Sequence, residues 1–294
     1  EFRIFHVLNS SAKLTLKDVT VRNGCVDYNL SSVGGGGISN GGGTVTIQSS
    51  TISNNTADYY GGGIYNYNGG VLNVTNSTFS NNYAYNDGSA ISNQNGTVTL
   101  TNSTFSNNSG GNTIYNKQDS TITITHSTFS GNTSRGGACI TNDGGTVTIT
   151  DSTFSSNSTP PNYVGGCIIN SGTLTITNST FSNNSAHYGG GAIYNSGTLT
   201  VRNSTFSNNS STVTNNCIIS AGGGAIWNNS GGIVTVVSST FSGNSAAYCV
   251  GGAIRNFGTM TITNSTVSGN NAAIAGGIWN GGTVNASFVT IANN

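Results

Sequence analysis

Residues Gly189 to Asn209 read GGGAIYNSGTLTVRNSTFSNN and hold three short apolar pieces. They are Ala192-Ile193-Tyr194, Thr198 to Val201 and Ser204 to Ser207, divided by Asn195-Ser196-Gly197 and Arg202-Asn203. β-Branched and aromatic residues suit strands, and Asn, Ser and Gly suit the turns between them. No piece carries enough apolar surface to bury a core alone. The same phrase recurs along nearly the whole chain, so the copies must stack.

The Phe of STFSNN marks the register. Its equivalents are Val21, Ile52, Phe79, Phe105, Phe129, Phe154, Phe181, Phe206, Phe241, Val267 and Ile291, at steps of 31, 27, 26, 24, 25, 27, 25, 35, 26 and 24 residues. Thr precedes the mark every time, and Asn stands three residues after it in every copy but the first, where Gly24 does. A second phrase, an apolar residue, one variable residue and Asn, runs from Val7-Leu8-Asn9 through Ile193-Tyr194-Asn195 to Ile278-Trp279-Asn280 and also counts eleven coils. Strands of three to five residues joined by tight turns cannot pair within their own coil, so each must bond to its equivalent one coil away. The reading is an all-β parallel solenoid with three strands per coil. Ile, Val, Leu and Phe face the bore and Thr, Ser and Tyr face out. Asn tolerates the left-handed backbone of a sharp corner and can bond the Asn of the next coil, so two Asn ladders are expected. At about 4.8 Å per coil the rod is roughly 50 Å long. The Gly runs, such as Gly61 to Gly63, read as close-packed corners; no helix or Lys follows to make them a phosphate loop.

The internal repeat makes one domain of residues 1–294, with loop insertions near 24–33 and 211–220. Gly 43, Pro 2 and 5% charged residues resemble low complexity, but a phased apolar lattice argues for a fold. A formal net charge of zero offers no attraction to nucleic acid or anionic membrane, and no apolar run approaches the roughly 18 residues of a spanning helix. The chain starts at Glu1 without an initiator Met or signal pattern, which reads as a processed product or trimmed segment.

The GGAI motifs (Gly190 to Ile193, Gly223 to Ile226, Gly251 to Ile254) and FxxN motifs (Phe79 to Asn82, Phe105 to Asn108, Phe181 to Asn184) resemble the paired repeats of chlamydial polymorphic outer membrane proteins. They are also similar to right-handed parallel β-helix repeat proteins of free-living bacteria. The resemblance covers almost the whole chain. It implies a single-stranded right-handed parallel β-helix and a secreted, extracellular or cell-surface place in a bacterium or archaeon. The chlamydial relatives are adhesins with a C-terminal barrel translocator, which this sequence does not carry.

Pectate-lyase-like β-helices cleave polysaccharides with clustered carboxylates and calcium, whereas the acids here fall mostly in separate coils. His126 and Asp151 share one repeat position on adjacent coils, where they could do acid–base work or form a surface hydrogen bond. No second acid or Arg joins that row. No catalytic residue, cofactor or metal ligand set is expected. Cys139 and Cys167 occupy one repeat position, and Cys217 and Cys249 lie in corresponding loops, so both pairs are disulfide candidates, with Cys25 left over. Asn-x-Ser/Thr occurs at Asn29, Asn76, Asn102, Asn107, Asn132, Asn178, Asn183, Asn203, Asn208 and Asn264. These are either glycosylation sites or the by-product of an Asn, Ser and Thr-rich repeat, and inward ladder Asn residues cannot carry glycans.

Two outward rows stand out. Thr97-Val98-Thr99-Leu100-Thr101 and its equivalents make a Thr array like those of ice-binding solenoids, although Thr is also the favoured exposed strand residue. Tyr65, Tyr115, Ile169, Tyr194, Trp227 and Trp279 share the outward position of the first strand. Of these, Ile169, Tyr194, Trp227 and Trp279 are the candidates for a contact surface. The repeat runs almost from end to end without a visible cap, so the open β-edges invite further copies of the chain. The functional expectation is a non-enzymatic structural protein that stacks end to end into an extracellular filament. Its alternative is a monomeric adhesin rod binding glycans or other cell-surface ligands, with a polysaccharide lyase a distant third.

Overall fold

The computed structural model describes residues 2–27, 34–213 and 221–294. Among them every regular element is a strand. The first coil contributes Phe5–Val7, Lys13–Lys17 and Thr20–Arg22, and the last contributes Ile278–Asn280, Thr283–Ser287 and Thr290–Ala292. Equivalent strands pair in parallel into three sheets of eleven strands each. The register follows the two sequence phrases: Ile64 pairs with Ile38 and Ile91, and Phe79 with Ile52 and Phe105.

The bore is filled by columns of identical residues. Ile38, Ile64 and Ile91 are fully buried, and the rings from Phe79 to Phe241 stack with centroids 4.6–4.9 Å apart and planes within 14°. The sheet spacing thus sets aromatic rings at stacking distance without any further adjustment. Both Asn ladders are present and fully buried over most of their length. In the first, Asn40 Nδ2 donates to Asn66 Oδ1 at 2.7 Å and Asn66 Nδ2 to Asn93 Oδ1 at 2.8 Å, ending with Asn256 to Asn280 at 2.7 Å. In the second, Asn55 Nδ2 donates to Asn82 Oδ1 at 3.0 Å, and the series ends with Asn270 to Asn294 at 2.7 Å. Here the same Oδ1 also accepts the backbone N–H of the preceding ladder Asn, as in Asn55 N to Asn82 Oδ1 at 3.1 Å. Corner backbone that would otherwise be buried without partners is satisfied in this way.

Three features go beyond the sequence reading. First, the Ser of NSTF forms a third ladder: Ser77 N donates to Ser103 Oγ at 3.2 Å, while Ser77 Oγ donates to the Thr75 carbonyl at 2.8 Å. Second, a fourth short strand, two residues long in seven of its nine occurrences, follows the second-ladder position in most coils. These strands make ladders of five (Cys25–Val26 to Thr133–Ser134) and four strands (Ser185–Ala186 to Asn271–Ile274). Its small inward residues, Ala57, Ala84 and Ala186, are fully buried, which leaves no apolar signal long enough to register as a strand. Third, the left-handed backbone does not fall on the ladder Asn residues. It falls on the residue before each position of the second Asn ladder and of the Ser ladder, such as Asn54 (φ 54°) before Asn55 and Asn76 (φ 50°) before Ser77. A left-handed residue reverses the chain sharply enough to turn the next side chain along the rod axis, so corner and ladder use separate residues.

The glycine corners are as tight as expected. A Cβ at Gly191 would run into the carbonyl oxygen of Gly224 on the next coil, and Gly190 sits at φ 60°. The insertion residues 28–33 and 214–220, with Asn29 and Cys217, lie outside the described residues.

Candidate functional site

The outward column of the first sheet divides into two halves. In the C-terminal half Ile169 pairs with Tyr194, Tyr194 with Trp227, Trp227 with Arg255 and Arg255 with Trp279. The aromatic stripe is therefore interrupted by an arginine that the sequence reading passed over. The Arg255 guanidinium lies 4.3 Å from the Trp227 ring centroid, 4.5 Å from Phe257 and 5.6 Å from Trp279, and the residue is only 2% exposed. Burial pushes its pKa down to about 10, which leaves it cationic at neutral pH. Ile169, Tyr194, Trp227 and Trp279 are all half-buried, and Tyr194 meets Trp227 edge to face at 5.3 Å.

In the N-terminal half one coil carries a band of four tyrosines across the rod. Ring centroids are 6.0 Å apart for Tyr59–Tyr60, 5.7 Å for Tyr60–Tyr65 and 4.5 Å for Tyr65–Tyr67, the last two pairs being stacked. Ser39 and Ser92, the neighbours of Tyr65 in the column, are almost completely covered. Tyr65 donates its hydroxyl to Gln94 Oε1 at 3.3 Å, and burial raises its pKa to about 12. Two coils on, Tyr115 donates to Asp143 Oδ2 at 2.7 Å; burial, then that carboxylate, hold the phenol up. A hollow of about 360 Å³ lined by Tyr65, Tyr67, Gln94 and Lys117 lies on one flank of the band. On the other flank a hollow of about 350 Å³ is lined by Asp58, Tyr59, Tyr85 and Asn86. Planar rings beside carboxylates and amides can hold a polyhydroxylated ligand, the rings taking its C–H faces and the polar groups its hydroxyls. The sequence reading singled out Tyr65 and Tyr115 but not Tyr59, Tyr60 or Tyr67. Those lie partly outside the repeat phrase, and their clustering within Asp58 to Asn68 was the available signal.

The other sequence candidates fall as follows. His126 Nε2 and Asp151 Oδ2 stand 3.6 Å apart, with side chains 58% and 38% exposed, as a surface pair at two left-handed corners. Among the described residues no three His, Cys, Asp or Glu side chains gather as metal ligands. Cys139 and Cys167 do stack on adjacent coils, Cys139 N donating to the Cys167 carbonyl at 2.8 Å, but as buried thiols with no disulfide between them, which corrects the disulfide reading. In-register parallel neighbours point the same way at the strand spacing, and a disulfide needs their Cβ atoms drawn closer than that. Burial pushes both thiols up, Cys139 well above the ordinary range. Cys249 is disulfide-bonded beside a small satellite core of Val213, Ala221 and Ala246, while Cys217 lies outside the described residues.

Asn132 is also corrected as a glycosylation candidate. It is a fully buried ladder residue whose Nδ2 donates to the Phe105 carbonyl at 2.9 Å and to Asn157 Oδ1 at 3.0 Å, so no amide is presented outside. Asn76, Asn102, Asn107, Asn178, Asn183, Asn203, Asn208 and Asn264 are exposed, each in the left-handed conformation. The Thr array is in register over Thr97, Thr121, Thr146 and Thr173 and their i+2 and i+4 companions, and the preference of Thr for exposed strands accounts for it.

The family model for the right-handed beta helix region matches residues 4–159, 62–212 and 114–294, overlapping segments that together reach from the first coil to the last. No curated protein and no solved structure matches the chain. Eleven stacked coils in three parallel sheets, built from the same repeat that the model matches, place this chain in the right-handed β-helix family.

Proposed function

We propose that this chain works without catalysis, as an elongated rod at the cell surface or outside the cell whose first-sheet side contacts glycans or other cell-surface ligands. The observation that carries this reading is the tyrosine band of Tyr59, Tyr60, Tyr65 and Tyr67 with a hollow on each flank, the one beside Gln94 and Lys117 being the more polar. Side chains held by stacking and by the Tyr65–Gln94 hydrogen bond lose little freedom on binding, which favours contact with a ligand. The motif resemblance to chlamydial surface adhesins supports the same place and role. The test is binding of the purified protein to whole cells and to immobilised surface polysaccharides, with Tyr60→Ala and Tyr67→Ala as variants. Retention of the wild-type protein and at least tenfold weaker retention of both variants is the expected result. Equal retention of all three rejects the band as the contact.

A second reading, assembly of copies end to end, is favoured by the uniformity of the seams. The interior coils meet through the same Asn, Ser and Phe columns, and the end coils keep the parallel strand register with Val21 and Ile291 at the Phe position, so a seam between copies can extend the sheets wherever an end coil is open. Negative-stain electron microscopy distinguishes the two, since single short rods at high concentration exclude the filament.

A further inference from the structure

The corner that leads from the fourth short strand into the first sheet is unusually short in one coil. Between Gly110 and Ile114 stand three residues, Gly111, Asn112 and Thr113, where the coil before has Tyr85 to Ala90 and the coil after has Arg135 to Cys139. The flanking strands nevertheless stay in step: Ala84 pairs with Gly110 and Gly110 with Ser134, while Ile91 pairs with Ile114 and Ile114 with Ile140. A shortened loop between fixed ends cannot reach the rod surface that its neighbours reach. The result is a notch of about 220 Å³ lined by Asn86, Asp87, Asn112, Arg135, Thr141 and Ile169.

The polar groups of the notch are held in place before any ligand arrives. Asn112 Oδ1 accepts the Gly88 backbone N–H at 2.9 Å, and Asn112 Nδ2 donates to Asp87 Oδ1 at 3.2 Å. That fixes the amide and aligns the carboxylate, whose side chain accepts no other hydrogen bond among the described residues. Burial raises the Asp87 pKa, against the Asn112 hydrogen bond, and the nearby Asp143 raises it further. On the opposite wall the Arg135 guanidinium lies 5.2 Å from the Tyr85 ring centroid. Asn86 lines both the notch and the hollow of Asp58, Tyr59 and Tyr85, so the two adjoin along the rod.

We propose that the notch at Asn112 and the adjoining hollow at Tyr85 are two consecutive subsites for neutral hexopyranose units of a saccharide chain; this deepens the glycan-contact reading and rests on it. A sugar hydroxyl is both donor and acceptor, and the notch offers a carboxylate acceptor beside amide and guanidinium donors. The Tyr59 and Tyr85 rings offer faces for the C–H side of a pyranose. A uronic acid would bring its carboxylate towards Asp58 and Asp87, and an amino sugar would bring its charge towards Arg135. With carboxylates and a guanidinium side by side, either charged unit meets a like charge as well as an opposite one and loses its hydration, whereas a neutral unit uses every group as a hydrogen-bond partner.

The test is calorimetric or NMR titration of the purified protein with cellotetraose, maltotetraose and mannotetraose, and with tetragalacturonate and chitosan tetramer as charged comparisons. At least one neutral tetrasaccharide should bind. Its affinity should fall about tenfold or more in Asp87→Ala and Asn112→Ala, as expected when a buried charge-assisted hydrogen bond is lost. Arg135→Ala changes an exposed residue and serves if the other variants fail to fold; it should weaken binding several-fold. A Ser-Gly insertion after Gly111, which restores the corner length, should abolish binding. Asp151→Asn, at the corner between the second and third main sheets, should leave it unchanged. Tighter binding of tetragalacturonate or the chitosan tetramer, or neutral-sugar affinity indifferent to the notch variants, overturns the assignment. Retention on cells that persists while no neutral tetrasaccharide binds overturns the notch alone, whereas loss of both also removes the broader reading.

Discussion

Within the phrase FSNN two adjacent asparagines do opposite work, and substitution separates them. Asn184 is a ladder residue: its Nδ2 donates to the Phe154 carbonyl at 3.0 Å and to Asn209 Oδ1 at 2.9 Å, and its Oδ1 accepts Asn157 N at 3.1 Å and Asn157 Nδ2 at 3.0 Å. Asn184→Ala removes all four bonds and leaves the buried Asn157 N–H without its acceptor, which alone costs about 1–3 kcal/mol. With the remaining bonds and the space left by the amide, the total should come to about 3–4 kcal/mol. Asn183, one residue earlier, is exposed at φ 55°, and Gly131 and Gly243 occupy its equivalent position at φ 64°. Asn183→Gly should therefore change stability by less than about 0.5 kcal/mol. The assay is urea unfolding followed by circular dichroism, with hydrogen exchange of the Asn157 amide as a local readout, since a repeat array need not unfold in one step. A midpoint for Asn184→Ala no lower than that for Asn183→Gly, or undiminished protection at Asn157, would refute the view that the ladder holds the seam.

Removal of the Arg255 guanidinium uncovers both tryptophans of the chain, so Arg255→Ala should red-shift the fluorescence and cost about 2 kcal/mol in lost cation–π and stem packing. Cys139 and Cys167 should resist a thiol reagent such as dithionitrobenzoate in the native state and react on unfolding, since the thiolate is the reactive form and burial suppresses it. The same shift has a sign in stability. Folded thiols titrate above their ordinary value of 9.0, so above that pH the unfolded chain releases protons the folded chain keeps, and the denaturation midpoint should fall as pH rises further. Expression in a glycosylating host and peptide mass spectrometry should find Asn132 unmodified, with any occupancy confined to exposed positions such as Asn102 and Asn178.

The coil count, strand register and both Asn columns were legible because parallel stacking forces one residue type to serve one role in every coil. Ile64 and Phe79 announce the bore in this way. The Ser77 ladder was hidden because Ser also fits an exposed strand, and nothing in its spacing tells the two apart. The notch at Asn112 was visible only as a short step of 24 residues between Phe105 and Phe129, whose spatial meaning depends on the flanking strands holding register. Arg255 was overlooked because a charge in an aromatic column breaks the pattern used to find the column. The Cys139–Cys167 pair shows the limit of the same logic: it stacked the two residues correctly, but parallel side chains at the strand spacing stay too far apart for a disulfide.

Each strand of the three main sheets is bonded only to its counterparts one coil away, so tension applied at the two termini acts on one seam at a time. Peeling an end coil breaks its ladders and strand bonds together and then meets an identical obstacle. With 24 to 27 residues in most coils, each such event frees roughly 80–95 Å of chain at about 3.4 Å per residue. A molecule built this way yields to pulling in even increments, dissipating load as a staircase of small ruptures before its last coil gives way.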